Sequence, residues 1–170
     1  MATQHYTHTE DYVKNFYEKI CITKPQELKF RTIAEQLGIY VFYWPDASQA
    51  LFTGNKGFVL LNEGLTPQQQ WQEFCHELAH ILFHVGNQSK IPTSFREYQE
   101  AKANIFMYHA AIPTFMLDHL SIYDFDIMTV YEVQKLFNVE YDFALKRLQH
   151  YLTQHKLYAK SEYPKQFSKE

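Results

Sequence analysis

Apolar residues recur at three- and four-residue steps along most of this chain, interrupted by a short middle portion of strand-like runs. Residues 1–8 carry no such pattern and are expected to be flexible. Thr9, followed by Glu10 and Asp11, opens a predicted helix on which Tyr12, Val13, Phe16, Tyr17 and Ile20 share one face. Pro25 starts a second helix carrying Leu28, Ile33, Ala34 and Leu37, and Gly38 ends it. Ile39 to Trp44 is apolar, β-branched and aromatic, which predicts a buried strand. Gln49–Thr53 and Phe58–Leu61 flank a Gly-rich turn at 54–57 and predict a hairpin.

The next element has its start written into it. Thr66, Pro67 and Gln69 have the form of a capping box, with Thr66 as N-cap, Pro67 at the first helical position and Gln69 at the third. Beyond them Trp71, Phe74, Cys75, Leu78, Leu82 and Val85 form one apolar stripe, and Gly86 is the expected stop. At about 100° per residue, Gln69, Glu73, His76, His80 and His84 fall on the opposite face. A helix with an apolar side and a side rich in His and Glu is better explained as the wall of a polar cleft than as a solvated surface.

Residues 76–80 read His-Glu-Leu-Ala-His, and this pattern names a chemistry. Side chains four apart share a helical face, so both imidazoles can converge on one metal ion. Glu77 lies one position round, where its carboxylate can reach a water at an open coordination position. The chain holds nine His, so a chance match must be weighed, and the capped amphipathic helix decides in favour of a site.

A catalytic zinc takes a third protein ligand. His84 continues the row, but three consecutive turns span about 12 Å at about 1.5 Å per residue, too long for one ion. His84 is therefore placed around the site or facing substrate. On the next predicted helix, Ser94 and Glu97 have capping-box spacing, which gives Glu97 a task at the helix start. Glu100, one turn on, has none and is the expected third ligand, with Glu97 as its rival. Asn104 shares its face and is placed to orient a ligand imidazole. His109 should point elsewhere.

Residues 126–154 resemble a helix-turn-helix: Ile127, Val130, Tyr131, Val133 and Phe137 on one helix, a turn at Asn138, then Ala144, Leu148, Tyr151 and Leu152. The second helix mixes Glu140 and Asp142 with Lys146 and Arg147, so it is not a basic reading surface. A helical hairpin packed on the core is expected, with docking of a protein substrate left open.

Composition narrows the class. A chain of 170 residues, 46% apolar and 17% aromatic, predicts a single domain over 1–170, with 156–170 as well as 1–8 flexible. The 14 Phe and 13 Tyr are expected mainly in the core, with room for a peptide-binding surface. A net charge of −3 gives no footprint for nucleic acid. No leader-like start or membrane-length apolar run is visible, and Cys21 and Cys75 suggest no disulfide framework, so a cytoplasmic location is expected.

Three blocks together resemble the ImmA/IrrE family of metallopeptidases: residues 57–62 ending in Asn62, the run 76–84, and Glu100, Ala103, Asn104 and Phe106 before Ile112 and Pro113. The likeness covers residues 25 to 150. It implies His76, His80 and Glu100 as zinc ligands, with manganese as an alternative, and Glu77 as the catalytic acid/base. It also implies a small α+β, gluzincin-like domain, mostly helical, with a three-stranded sheet and a C-terminal helical hairpin. Family members on phages and integrative elements relieve repression by cleaving a helix-turn-helix repressor, which implies such a repressor as substrate. An antirepressor acting by binding alone, or a toxin–antitoxin type of partner, are the other classes. Departures are Ala79 for the usual Gly, Met107 for a common Ala, and the added carboxylate of Glu73, expected to be solvated.

Overall fold

The computed structural model describes residues 6–54, 56–83, 92–120, 122 and 126–161, with side chains as far as 154. Helix α1 (His8–Lys19) begins two residues before the predicted start, because Thr7 rather than Thr9 is its N-cap. The Thr7 hydroxyl accepts from Glu10 N at 3.3 Å, and Glu10 Oε2 accepts from Thr7 N at 2.7 Å. This reciprocal pair needs Glu at the third helical position, and that selects Thr7. Residues 6–8 thus belong to the fold; 1–5 lie outside the described residues.

The second predicted helix is broken. Pro25–Glu27 makes a single 3-10 turn, and α2 (Phe30–Gln36) follows. Glu27 Oε2 accepts from Thr23 N at 2.8 Å and Lys24 N at 3.0 Å, closing the first turn on itself. Leu28 and Lys29 then take extended ψ values of 80° and 115°. Gly38, at φ +66°, ends α2 in the left-handed region where a glycine costs least.

Strands β1 (Tyr40–Trp44), β2 (Gln49–Thr53) and β3 (Lys56–Asn62) form a mixed sheet in the order β1-β3-β2. The central β3 is parallel to β1 and antiparallel to β2. Register puts Tyr40, Leu51 and Phe58 on one face and Val41, Ala50 and Val59 on the other. Val59 and Leu61 are fully buried, whereas Tyr40, Phe42, Tyr43 and Leu51 are exposed. The expectation of a buried β1 is therefore corrected: among the described residues one face of the sheet stays largely uncovered, and β1 is an edge strand. A Cβ on Gly57 would stand 3.2 Å from Ile81 Cδ1, so the glycine lets β3 lie close against the helix that carries the histidines.

That helix, α3 (Pro67–Phe83), starts as its capping box predicts: Thr66 N donates to Gln69 Oε1 at 3.1 Å and Gln69 N to Thr66 Oγ1 at 3.3 Å. Trp71, Phe74, Cys75 and Leu78 are buried in the core. Val85, the stop at Gly86 and the loop from there to residue 91 lie outside the described residues. Helix α4 (Thr93–Ala111) packs along α3, with Pro92 rather than Ser94 at its N-cap. The expected capping box of Ser94 and Glu97 does not form, since both fall inside the helix.

Beyond Pro113 come α5 (Thr114–Leu117), a 3-10 turn at Asp118–Leu120, α6 (Ile127–Phe137) and α7 (Tyr141–Ser161). Asp126 caps α6, and Asn138 ends it in the left-handed conformation at φ 52°. Val130, Val133, Phe137, Ala144, Leu148 and Tyr151 enter the core, but Ile127 and Tyr131 remain exposed. Helix α7 continues to Ser161, into the tail expected to fray from residue 156; residues 162–170 lie outside the described residues. The architecture is α+β and mostly helical, with a three-stranded sheet.

Candidate metal centre

His76 and His80 project from one face of α3, and α4 brings Glu100 across to them. His76 Nε2 lies 3.2 Å from Glu100 Oε2 and 3.2 Å from His80 Nε2. His80 Nε2 lies 3.5 Å from Glu100 Oε1. These three residues are a group whose donor atoms all fall within 4.8 Å of one another. A tetrahedral ion with donors about 2.0–2.1 Å away has vertices about 3.3 Å apart, which matches the observed spacings. Two imidazole nitrogens and a carboxylate oxygen are also the donor chemistry of a three-ligand hydrolytic site. The residues present fit a divalent ion.

The cluster is covered on the α3 side and open on the other. The His80 side chain is 6% exposed and that of His76 15%, but that of Glu100 is 43% exposed. The three donor atoms are thus reached from solvent on the Glu100 side.

Glu77 is buried on the flank of α3 next to this opening. Burial pushes its carboxyl up to about 8, with the charges of Glu73 and Glu100 adding and the Ala50 backbone N–H opposing. Ala50 belongs to β2, an edge of the sheet, so the strand edge and the proposed base adjoin each other. Glu73 is half-buried and close enough to act on Glu77, rather than being simply solvated.

The other expected site residues divide. Glu97 is exposed and lies outside the cluster. Asn104 is exposed and, among the described residues, makes no hydrogen bond, so the expected one to a ligand imidazole is not present. His84 lies outside the described residues. His109 points away, into the interior between α1 and α7, as the half-turn offset from Glu100 requires.

Two features escaped the sequence. The Ala50 N–H is a backbone donor with no residue signature. Arg147 was grouped with surface cations, yet it is 1% exposed, donating from Nε to Ile112 O at 3.1 Å and from Nη2 to Thr114 Oγ1 at 2.6 Å. Its signal was periodicity: three residues after Ala144, it falls on the apolar stripe of α7.

Residues 34–149 match the Peptidase_M78 family, described as the IrrE N-terminal-like domain. The chain belongs to this family. It is 37% identical over 142 residues to the phage-like element PBSX protein XkdA of Bacillus subtilis (strain 168), covering 84% of this chain and 72% of that one. It is 36% identical over 152 residues to the uncharacterized protein YqaB of the same strain, covering 88% of each. A solved Mycobacterium tuberculosis transcriptional regulator shares the fold at a TM-score of 0.56 and 15% identity, over 82% of this chain and 46% of that structure. Family membership makes this a metallopeptidase-like domain. Ala79, standing where the resemblance leads to an expected Gly, is fully buried.

Proposed function

We propose that this chain is a metal-dependent endopeptidase, with zinc as the working ion, that cleaves a helix-turn-helix repressor of a phage or mobile element. The observation that carries the reading is the convergence of His76, His80 and Glu100 at tetrahedral spacing with buried Glu77 beside the open side. Bound at those three residues, the ion supplies Lewis acidity toward a carbonyl oxygen and a water, and its charge favours ionised Glu77.

Glu77 accepts the proton of the attacking water and passes it to the leaving amide nitrogen. The site asks for an acid/base at this place, because an amide nitrogen must be protonated to leave. The repressor as substrate rests on family membership and on one relative being a phage-element protein. Among the described residues no helix is long and apolar enough to cross a membrane, which places no membrane requirement on substrate access.

The test is co-expression of the chain with a candidate helix-turn-helix repressor as substrate. Positioned acid–base catalysis contributes roughly 10²–10⁴-fold, so Glu77→Gln should retain metal while losing repressor fragments and derepression together. If the Glu77→Gln form derepresses as well as the native chain and neither yields fragments, the protein acts by binding and the peptidase reading fails.

A further inference from the structure

We propose that the uncovered face of the sheet is a self-association surface, through which two copies of this chain pack sheet against sheet. Side chains alternate between the two faces of a strand, so Tyr40, Phe42 and Trp44 of β1, Phe58 and Leu60 of β3, and Leu51 of β2 share this face. Helix α3 packs on the opposite one, where Val59 and Leu61 are buried and Gly57 meets Ile81. The histidines carried by α3 therefore lie on the far side of the sheet. Association through the uncovered face leaves that side untouched and does not depend on peptidase activity.

The patch is large. Tyr40 is 45% exposed, Phe42 52% and Leu51 43%, and Trp44, Phe58 and Leu60 are partly exposed between them. At about 200 Å² for a whole aromatic side chain, these six leave roughly 400 Å² of apolar surface in one piece. Monomeric proteins rarely show a contiguous apolar patch above a few hundred Å² without a use for it. Two such faces brought together, with the polar rim of Gln49, Thr53 and Lys56, cover roughly 1,000–1,200 Å² in total, which is where specific interfaces begin.

Charge selects the partner. Among the described residues of the three strands, Lys56 is the one ionised side chain on this face, and its ammonium lies over the Tyr40 ring, 5.4 Å from the centroid. A single cation is too little to hold a phosphate backbone. With no carboxylate on the face, a basic partner finds nothing to pair with. A nearly neutral apolar surface meets its own copy without like-charge repulsion, and two-fold pairing of one patch with itself is the commonest arrangement of soluble oligomers. The face also has relief. The Phe58 ring stands 5.4 Å from Tyr40 at 23° and 6.4 Å from Phe42 at 21°, a nearly parallel row. Across the sheet, β2 offers the smaller Gln49, Leu51 and Thr53. A two-fold axis along the strands sets the high side of one copy on the low side of the other, at the sheet spacing of about 10 Å.

Sedimentation velocity and light scattering on the metal-loaded full chain, between about 1 and 100 µM, read the association, because an interface of the smallest specific size dissociates in that range. A reversible dimer is expected. Phe42→Lys and Leu51→Lys alter exposed side chains and should each keep the fold, as circular dichroism and melting temperature will show. Each should weaken association by about tenfold or more, since a two-fold interface carries every substitution twice. Ile127→Lys is the control: the residue is apolar and 65% exposed on α6, away from the sheet, and its change should leave association as it was. Having two variants on different strands preserves the test should one of them fail to fold. A chain that stays monomeric to the top of the range, a dimer that survives a correctly folded sheet variant, or one that Ile127→Lys also dissociates, overturns the proposal.

Discussion

Gln72 and Glu140 hold each other at both ends. Gln72 Nε2 donates to Glu140 Oε2 at 3.0 Å, and Glu140 N donates to Gln72 Oε1 at 2.7 Å. Gln69 Nε2 adds a third bond to Glu140 Oε1 at 2.9 Å. The residue that opens α7 is thereby fastened to the helix carrying the histidines. In a DNA-reading helix-turn-helix that same helix start enters the groove. Here it is occupied by α3, and Arg147 is occupied by the core.

The first prediction concerns this clasp. Glu140→Ala and Gln72→Ala should each destabilise the protein by about 1–2 kcal/mol, since each removes hydrogen bonds to a charged, partly buried carboxylate. The double variant should fall short of the sum, as expected for residues in direct contact. Denaturant unfolding of the four forms measures it; strict additivity would mean the clasp contributes nothing of its own.

Metal content separates the two carboxylates of α4. Glu100→Ala should lower affinity beyond the roughly 10–100-fold typical of outer-shell partners, and Glu97→Ala should leave it unchanged. Elemental analysis and chelator competition read both. The same assay on Asn104→Ala should show no loss, because among the described residues its exposed side chain makes no hydrogen bond to either imidazole. An emptied site in Glu97→Ala alone would mean that α4 sits differently in the loaded protein.

Stability should depend on metal. An ion that binds only the folded state at about a hundred times its Kd adds about 2.7 kcal/mol. Removal by a chelator should therefore lower Tm in the native chain and in Glu77→Gln, but not in His76→Ala. Identical melting with and without metal would deny a folded-state site.

Acid should unfold the protein partly through His109. Its folded value is depressed to about 3 from an ordinary 6.5, chiefly by burial, so the unfolded chain binds the proton more readily. The stability this contributes is complete above pH 6.5 and is lost as pH falls toward 3. Glu10 acts in the same direction: burial raises it, but hydrogen bonds from Thr114 and Thr7, together with His109, hold it below its ordinary value. His109→Gln removes one titrating group, so its unfolding free energy should fall less steeply between pH 6 and 4 than the native protein's. Parallel slopes would show that His109 is protonated in the fold.

Gly57 tests the seat of the sheet. Gly57→Val should cost about 1–3 kcal/mol by overpacking against Ile81. Because Ile81 directly follows His80, the substitution should also weaken metal binding; a normal site in a destabilised protein would limit the effect to packing.

Local grammar was legible in the chain. Thr66, Pro67 and Gln69 fixed the start of α3, and a four-residue step put His76 and His80 on one face, since both depend on contacts within a turn or two. The same locality made Glu100 a candidate. What it did not single out were the caps: Glu10 at the third helical position pairs with Thr7 rather than Thr9, and α4 takes Pro92, which has no capping side chain, as its N-cap rather than Ser94. The exposure of β1 depended on which face of the sheet the helices cover. Likewise, the burial of Arg147, the exposure of Asn104, and the Ala50 N–H beside Glu77 are consequences of segments distant in sequence. Backbone periodicity says which side chains share a face; only the packed fold says what that face meets.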